Sequence, residues 1–192
     1  MDAVYSEVQQ ETLDTFGLFA VETEAGDKTE YLQFPAKGRL INAEGERLLR
    51  KACKDRPQVQ IVISDGLSAK AVDRQLPDIL PALRDSLAAN SLAEGTAFFV
   101  KRGRVGVMDD IGRILRPEVL VLLIGERPGL AASASLSAYM CYRPQPGRRD
   151  SERNVISNIH QKGTPPVEAG AHIGSILRKM VDQRRSGVQL EL

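Results

Sequence analysis

Four polar, glycine-bearing segments hold the side chains in this sequence best placed to do chemistry. They are Ser64-Asp65-Gly66-Leu67-Ser68, Lys101-Arg102-Gly103-Arg104-Val105, Gly125-Glu126-Arg127-Pro128-Gly129, and the stretch from Ser157 through His160 to Thr164. The first three fall where strands should end, and ligands of open parallel sheets bind beyond those carboxyl ends. The fourth leads into a helix whose first N–H groups can meet a ligand's polar edge. Each also has a plainer reading. Ser64-Asp65-Gly66 works as a strand-to-helix turn, and Glu126 with Arg127 as solvated pairs worth little. Neither G-x-G-x-x-G nor G-x-x-x-x-G-K-[ST] is present, so dinucleotide and P-loop chemistry lack their motifs.

Histidine is scarce, with only His160 and His172. His160 sits in a polar stretch and can hydrogen-bond or titrate near neutrality. His172 flanks an apolar helical face, and neither has a nearby cysteine with which to build a zinc site. Asp65, His160 and Ser64 or Ser157 can be drawn as a hydrolytic triad, but no G-x-S-x-G elbow supports the drawing. Asp109 and Asp110 are adjacent and point about 100° apart on a helix. They make no paired-carboxylate site, and capping a helix explains them more cheaply. Composition and spacing therefore favour a binding subunit over a self-contained enzyme.

What must position these groups is one α/β body. The 192 residues carry 42% hydrophobic and 27% charged side chains, the balance of a soluble globular chain. The net charge of +1 gives no global pull toward nucleic acid or an anionic membrane, and no apolar run is long enough to span a bilayer. Cys53 and Cys141 form no disulfide framework, and the acidic, polar start has no secretory h-region, so the expected compartment is the cytoplasm.

The hydrophobic pattern predicts a short helix over 4–13, then extended runs over 18–23 and 29–34 that read as a β-hairpin around Gly26-Asp27 and close at Pro35. A helix over 42–54, capped by Asn42, precedes a strand over 59–63. The apolar face over 68–89 predicts a helix broken or kinked at Pro77 and Pro81. Strands over 96–100, 119–124 and 138–142 follow, the second hydrophobic enough to be buried on both faces. Asp109 or Asp110 is expected to cap a helix ending at Leu115. After an arginine-rich loop over 143–153, a last helix starts near Thr164 with proline in its first turn. The expected fold is α/β: a Rossmann-like, open, mainly parallel sheet flanked by helices, with a small N-terminal hairpin region over 1–40 and the main domain over 41–192.

The stretches VQIVISDGLSAKAV, GTAFFVKRGRVGVMDDIG, VLVLLIGERPGL, SLSAYMCYRP and VISNIHQKGTPPVEAG make the chain resemble the small (light) subunit of adenosylcobalamin-dependent ethanolamine ammonia-lyase. The resemblance runs from about residue 17 to 187, in the family's order. It implies a Rossmann-like subunit that is not active alone. With a large (β/α)8-barrel subunit it would enclose adenosylcobalamin, and the holoenzyme, six large plus six small subunits, would convert ethanolamine to acetaldehyde and ammonia. The resemblance also implies membership of an ethanolamine-utilisation microcompartment, with no nucleic-acid or membrane partner. Carried over by position, the implied cofactor-binding residues are Val105, Glu126 and Val155. The family position of Val155 is a cysteine in a familiar member, so valine here keeps an apolar contact and loses a thiol. Cys141 belongs to another motif. A longer N-terminal extension of several members is missing from these residues. The alternatives are a stand-alone α/β hydrolase-type enzyme around Asp65 and His160, or a structural microcompartment protein.

Overall fold

The computed structural model describes residues 5–129 and 134–192. Six strands form one sheet in the order β1-β3-β2-β4-β5-β6: β1 (Ala20–Glu22), β2 (Val59–Ser64), β3 (Phe98–Lys101), β4 (Val119–Gly125), β5 (Leu136–Tyr142) and β6 (Asn154–Ile159). The first four strands in that spatial order run parallel, β5 is antiparallel to β4, and β6 is antiparallel to β5. Every residue of β2 and β4 is buried, as central strands covered on both faces must be.

Helices α4 (Ala69–Ala89) and α6 (Pro166–Gln183) cover one face, with α1 (Gln10–Thr15) against α4. Ile61, Ile63, Leu76, Leu80, Leu123, Met140, Ile173 and Leu177 form the core there. Helices α3 (Ala43–Ala52) and α5 (Val107–Leu115) lie on the other face, over a cluster that includes Val62, Phe98, Val100, Met108 and Leu122. This cluster reaches β5 through Cys141, which is wholly buried, and it thins toward the sheet edge, where Tyr139 is partly exposed and Val155 of β6 is 50% exposed. Among the described residues no helix is long and apolar enough to cross a membrane.

Four expectations are corrected. The N-terminal hairpin is not formed. Residues 29–33 lie instead in helix α2 (Lys28–Gln33), because Asp27 caps it by accepting from Glu30 N while Glu30 accepts from Gly26 N. That reciprocal cap outweighs the strand preference of Thr29 and Tyr31, and β1 is left to pair in parallel with β3. Pro77 and Pro81 do not break α4, which runs through both. Both lie on its exposed side, where water can serve the carbonyls of Asp73 and Pro77 that lose a donor, while Leu76, Ile79, Leu80 and Leu83 stay buried opposite. Asp109 and Asp110 sit inside the first turn of α5, whose N-cap is Gly106. Asp110 accepts from Ile41 N at 2.8 Å and from Arg113, and so ties the helix to the chain before α3. The short helix expected over 4–13 is confined to Gln10–Thr15; residue 4 lies outside the described part.

Glu46 on α3 clasps Arg113 of α5 at 2.7 Å and Arg50 of its own helix at 2.8 Å. The Arg113 hydrogen bond, then that of Arg50, pulls its carboxyl from 4.5 down to about 2. Because the folded pKa is depressed, the stabilisation is complete above 4.5 and is lost as pH falls through about 2. The group is partly exposed, so the pair is worth only about 1 kcal/mol. Glu46→Gln should therefore lower the urea midpoint at pH 7, with the gap from the parent narrowing below pH 4.5. A gap that does not change with pH contradicts this.

Candidate functional site

The strand directions bring the chemistry-bearing segments to one end of the sheet. The carboxyl ends of β2, β3 and β4 deliver Asp65, Arg102 to Val105, and Glu126 there. The reversal of β5 adds its first residues, and β6 adds His160. A polar rim formed this way follows from the parallel core itself.

Two glycines lock the rim. Gly66 has φ +50°, and a Cβ there would meet Gly125 O at 2.5 Å; a Cβ on Gly125 would meet Ser68 O at 2.2 Å and Asp65 O at 2.4 Å. Leu67 N donates to Gly125 O at 3.0 Å across the same contact. The turn after β2 and the end of β4 therefore touch backbone to backbone, which sets where Glu126 begins.

Glu126 is then fixed from β5. Its N–H donates to Ser135 O at 2.9 Å, the Ser135 hydroxyl donates to its Oε2 at 3.0 Å, and the Ser137 hydroxyl donates to Oε1. Ser137 stands opposite Ile124 in the β4–β5 ladder, and Tyr139 is the next residue of β5 on that face. Tyr139 in turn stands directly opposite Val155 on β6, so the two share a face. Burial, the charge of Glu126 and that of Asp150 all raise the Tyr139 phenol above its ordinary pKa of 10.0, with Arg153 partly offsetting them. It keeps its proton at neutral pH and remains a donor.

Val105, half-buried, packs against the same second cluster as Tyr139. Val155 is 50% exposed. Val105, Glu126 and Val155 thus share one side of the sheet, the side on which α3 and α5 pack. They do not share one position along it: Val105 and Glu126 lie at the carboxyl end, whereas Val155 is the second residue of the edge strand. From Val155 to the end of β6 at Ile159 is about 13 Å at strand rise.

Between Val155 and α5 lies a covered ion pair. Arg153, whose side chain is 5% exposed, meets Asp109 at 2.7 Å and also binds Asp150. Burial outweighs Arg153 and raises the Asp109 carboxyl above its usual range. Such a pair fixes α5 against β6 more than it stabilises the fold.

The drawn triad is not assembled. Asp65 is taken by Lys28 at 2.9 Å and by Arg102 N at 2.7 Å, and Ser64 donates to Val100 O at 2.7 Å. His160 is three strand positions away, about 14 Å at ordinary sheet spacing. Its Nδ1 accepts from Lys162 N at 3.3 Å, which leaves Nε2 to donate to Asn158 Oδ1 at 2.8 Å. The histidine shapes a turn. A groove of about 780 Å³ lined by Arg56, Arg113, Arg116 and Arg143 opens at the opposite end of the sheet, beside the start of β4. Arg113 and Arg116 are already paired there with Glu46 and Asp55, so this groove belongs to the framework.

Among the described residues no three His, Cys, Asp or Glu side chains are grouped to hold a metal ion. What this side of the sheet offers is a hydroxyl-braced carboxylate, a protonated phenol and apolar side chains. A ligand with a broad apolar edge and peripheral amide or hydroxyl donors would be matched by that set.

Residues 1–191 match the family model described as ethanolamine ammonia-lyase light chain. The chain belongs to this family. Relatives of the light chain bear the same stamp. The chain is 44% identical over 191 residues to an ethanolamine ammonia-lyase small subunit of Fusobacterium nucleatum, covering 100% of this chain and 65% of that protein. It is 42% identical over 190 residues to the small subunit of Lachnoclostridium phytofermentans and 40% identical over 190 residues to that of Clostridium perfringens, in each case covering 99% of this chain and 64% of the relative. The chain thus spans about two thirds of the length of these light-chain relatives.

Sequence reasoning missed Ser135, Ser137 and Tyr139. They lie within SLSAY, a stretch whose alternation marks a strand face, but only the β4–β5 register shows which residue that face meets.

Proposed function

We propose that this chain acts as the small subunit of an ethanolamine ammonia-lyase and helps to bind adenosylcobalamin at its interface with the large subunit. The observation that carries the reading is the light-chain family match over residues 1–191. The exposure of Val155 and the partial exposure of Val105, Glu126 and Tyr139 support it, since a surface half built from them suits a group that a second polypeptide must also touch.

Bound there, adenosylcobalamin would supply a cobalt–carbon bond whose homolysis starts the radical conversion of ethanolamine to acetaldehyde and ammonia. The residues of this chain hold and shield. Glu126 accepts hydrogen bonds from corrin amides or ribose hydroxyls, Val105 and Val155 pack on apolar ring edge, and the interface excludes water. The substrate and the reacting groups belong to the large subunit. Six large and six small subunits, housed in an ethanolamine-utilisation microcompartment of the cytoplasm, complete the proposed assembly.

The test is reconstitution. The chain alone should release no acetaldehyde from ethanolamine, and adding the large subunit with adenosylcobalamin should start turnover. Deamination by the chain alone, or by the pair without a corrinoid, overturns the proposal.

A further inference from the structure

We infer that Ser135 and Ser137 are positioning residues that pre-set the carboxylate of Glu126 for the cofactor, an inference that rests on the reading of Glu126 as a cobalamin contact. A free glutamate side chain samples many rotamers, and fixing it on binding costs conformational entropy. In this subunit the cost is met in advance. Both hydroxyls belong to residues almost wholly buried, at 5% and 1% exposure, and each donates to a different oxygen of the carboxylate. The Glu126 N–H is tied to Ser135 O as well, so the residue is held at its main chain and at its tip by β5 and the residue that leads into it.

The direction of these bonds matters. A serine hydroxyl has one proton, and here it points at Glu126, so neither serine can donate that proton to a ligand at the same time. An ionised carboxylate has about four acceptor sites. With one hydroxyl on each oxygen it keeps others for donors arriving from its solvent-facing side, since Glu126 is partly exposed. The serines therefore orient the acceptor without filling it. Tyr139, next along the strand on that face, marks the side from which the ligand comes.

The experiment is a double-mutant cycle read by hydroxocobalamin affinity in the complex of this chain with its large subunit. Ser137→Ala should weaken binding about fivefold to tenfold, less than the full worth of a hydrogen bond to a charged group because the serine acts only through Glu126. In a Glu126→Ala background the same substitution should change affinity less than twofold. Ser135→Ala should behave alike with a smaller loss, and Ser137→Thr, which restores a hydroxyl, should recover binding where it folds. An unaltered urea midpoint for Ser137→Ala, measured beside the affinity, separates aim from folding. Equal losses in both backgrounds, or no loss from Ser137→Ala while Glu126→Ala still weakens binding, overturns the inference and leaves Glu126 as a contact. Parental affinity in both Glu126→Ala and Val155→Asp overturns the contact reading, and the inference with it.

Discussion

Glu126→Ala is expected to weaken cobalamin binding by the reconstituted pair about tenfold to a hundredfold, while costing the subunit about 1 kcal/mol of stability. Hydrogen bonds to a charged group are worth about 1.5–3 kcal/mol, which sets the first figure. The second is smaller because the Glu126 side chain is partly exposed and buries little apolar surface. Its removal strands the hydroxyls of Ser135 and Ser137, but a hydroxyl can turn to a backbone acceptor. Equilibrium dialysis with cobalamin and a urea titration of the isolated chain measure the two terms separately. Unchanged affinity with unchanged turnover would remove Glu126 from the site.

A larger structural loss should follow from one added methyl group nearby. Gly125→Ala places a Cβ 2.2 Å from Ser68 O and 2.4 Å from Asp65 O, and both are main-chain atoms of a turn that is itself buried. Neither can swing aside as a side-chain tip would, so the end of β4 or the turn after β2 must move. Overpacking of this kind costs about 3 kcal/mol. Gly26→Ala is the matched control, because its Cβ would find only the Glu30 carboxylate, at 3.5 Å. Its stability should stay within about 0.5 kcal/mol of the parent. Thermal melts of the two variants decide the matter, and equal melting temperatures would show that the rim is not locked where the contacts place it. Since Glu126 follows directly, Gly125→Ala should also lower cobalamin affinity in whatever fraction folds.

The parts of the fold legible in the sequence were those where one residue pattern had one outcome. The runs at 59–63 and 119–124 are the most apolar strand candidates and became the two central strands, and Asn42 capped the helix it announced. The hairpin failed because Thr29 and Tyr31 favour strands while Asp27 and Glu30 cap a helix, and a hydrogen-bonded cap decides a segment of six residues. Strand β6 went unread because it is a partly exposed edge with Asn154, Ser157 and Asn158 in it, so no apolar alternation announces it. Without that strand, the sharing of one face by Val155 and Tyr139 could not be seen. Val105, Glu126 and Val155 came from family resemblance; nothing in their local spacing distinguishes them from turn and strand residues. The serine brace was beyond any reading of the chain by itself, since it exists only through the β4–β5 register.

The exposed edge strand also bears on how this protein can change over generations. Val155 stands on that strand, and half of its surface meets water. Replacing it disturbs little of the core, so folding constrains that position weakly. Leu122, sealed between both layers, is in the opposite position. Positions such as 155 can change while the scaffold beneath stands still.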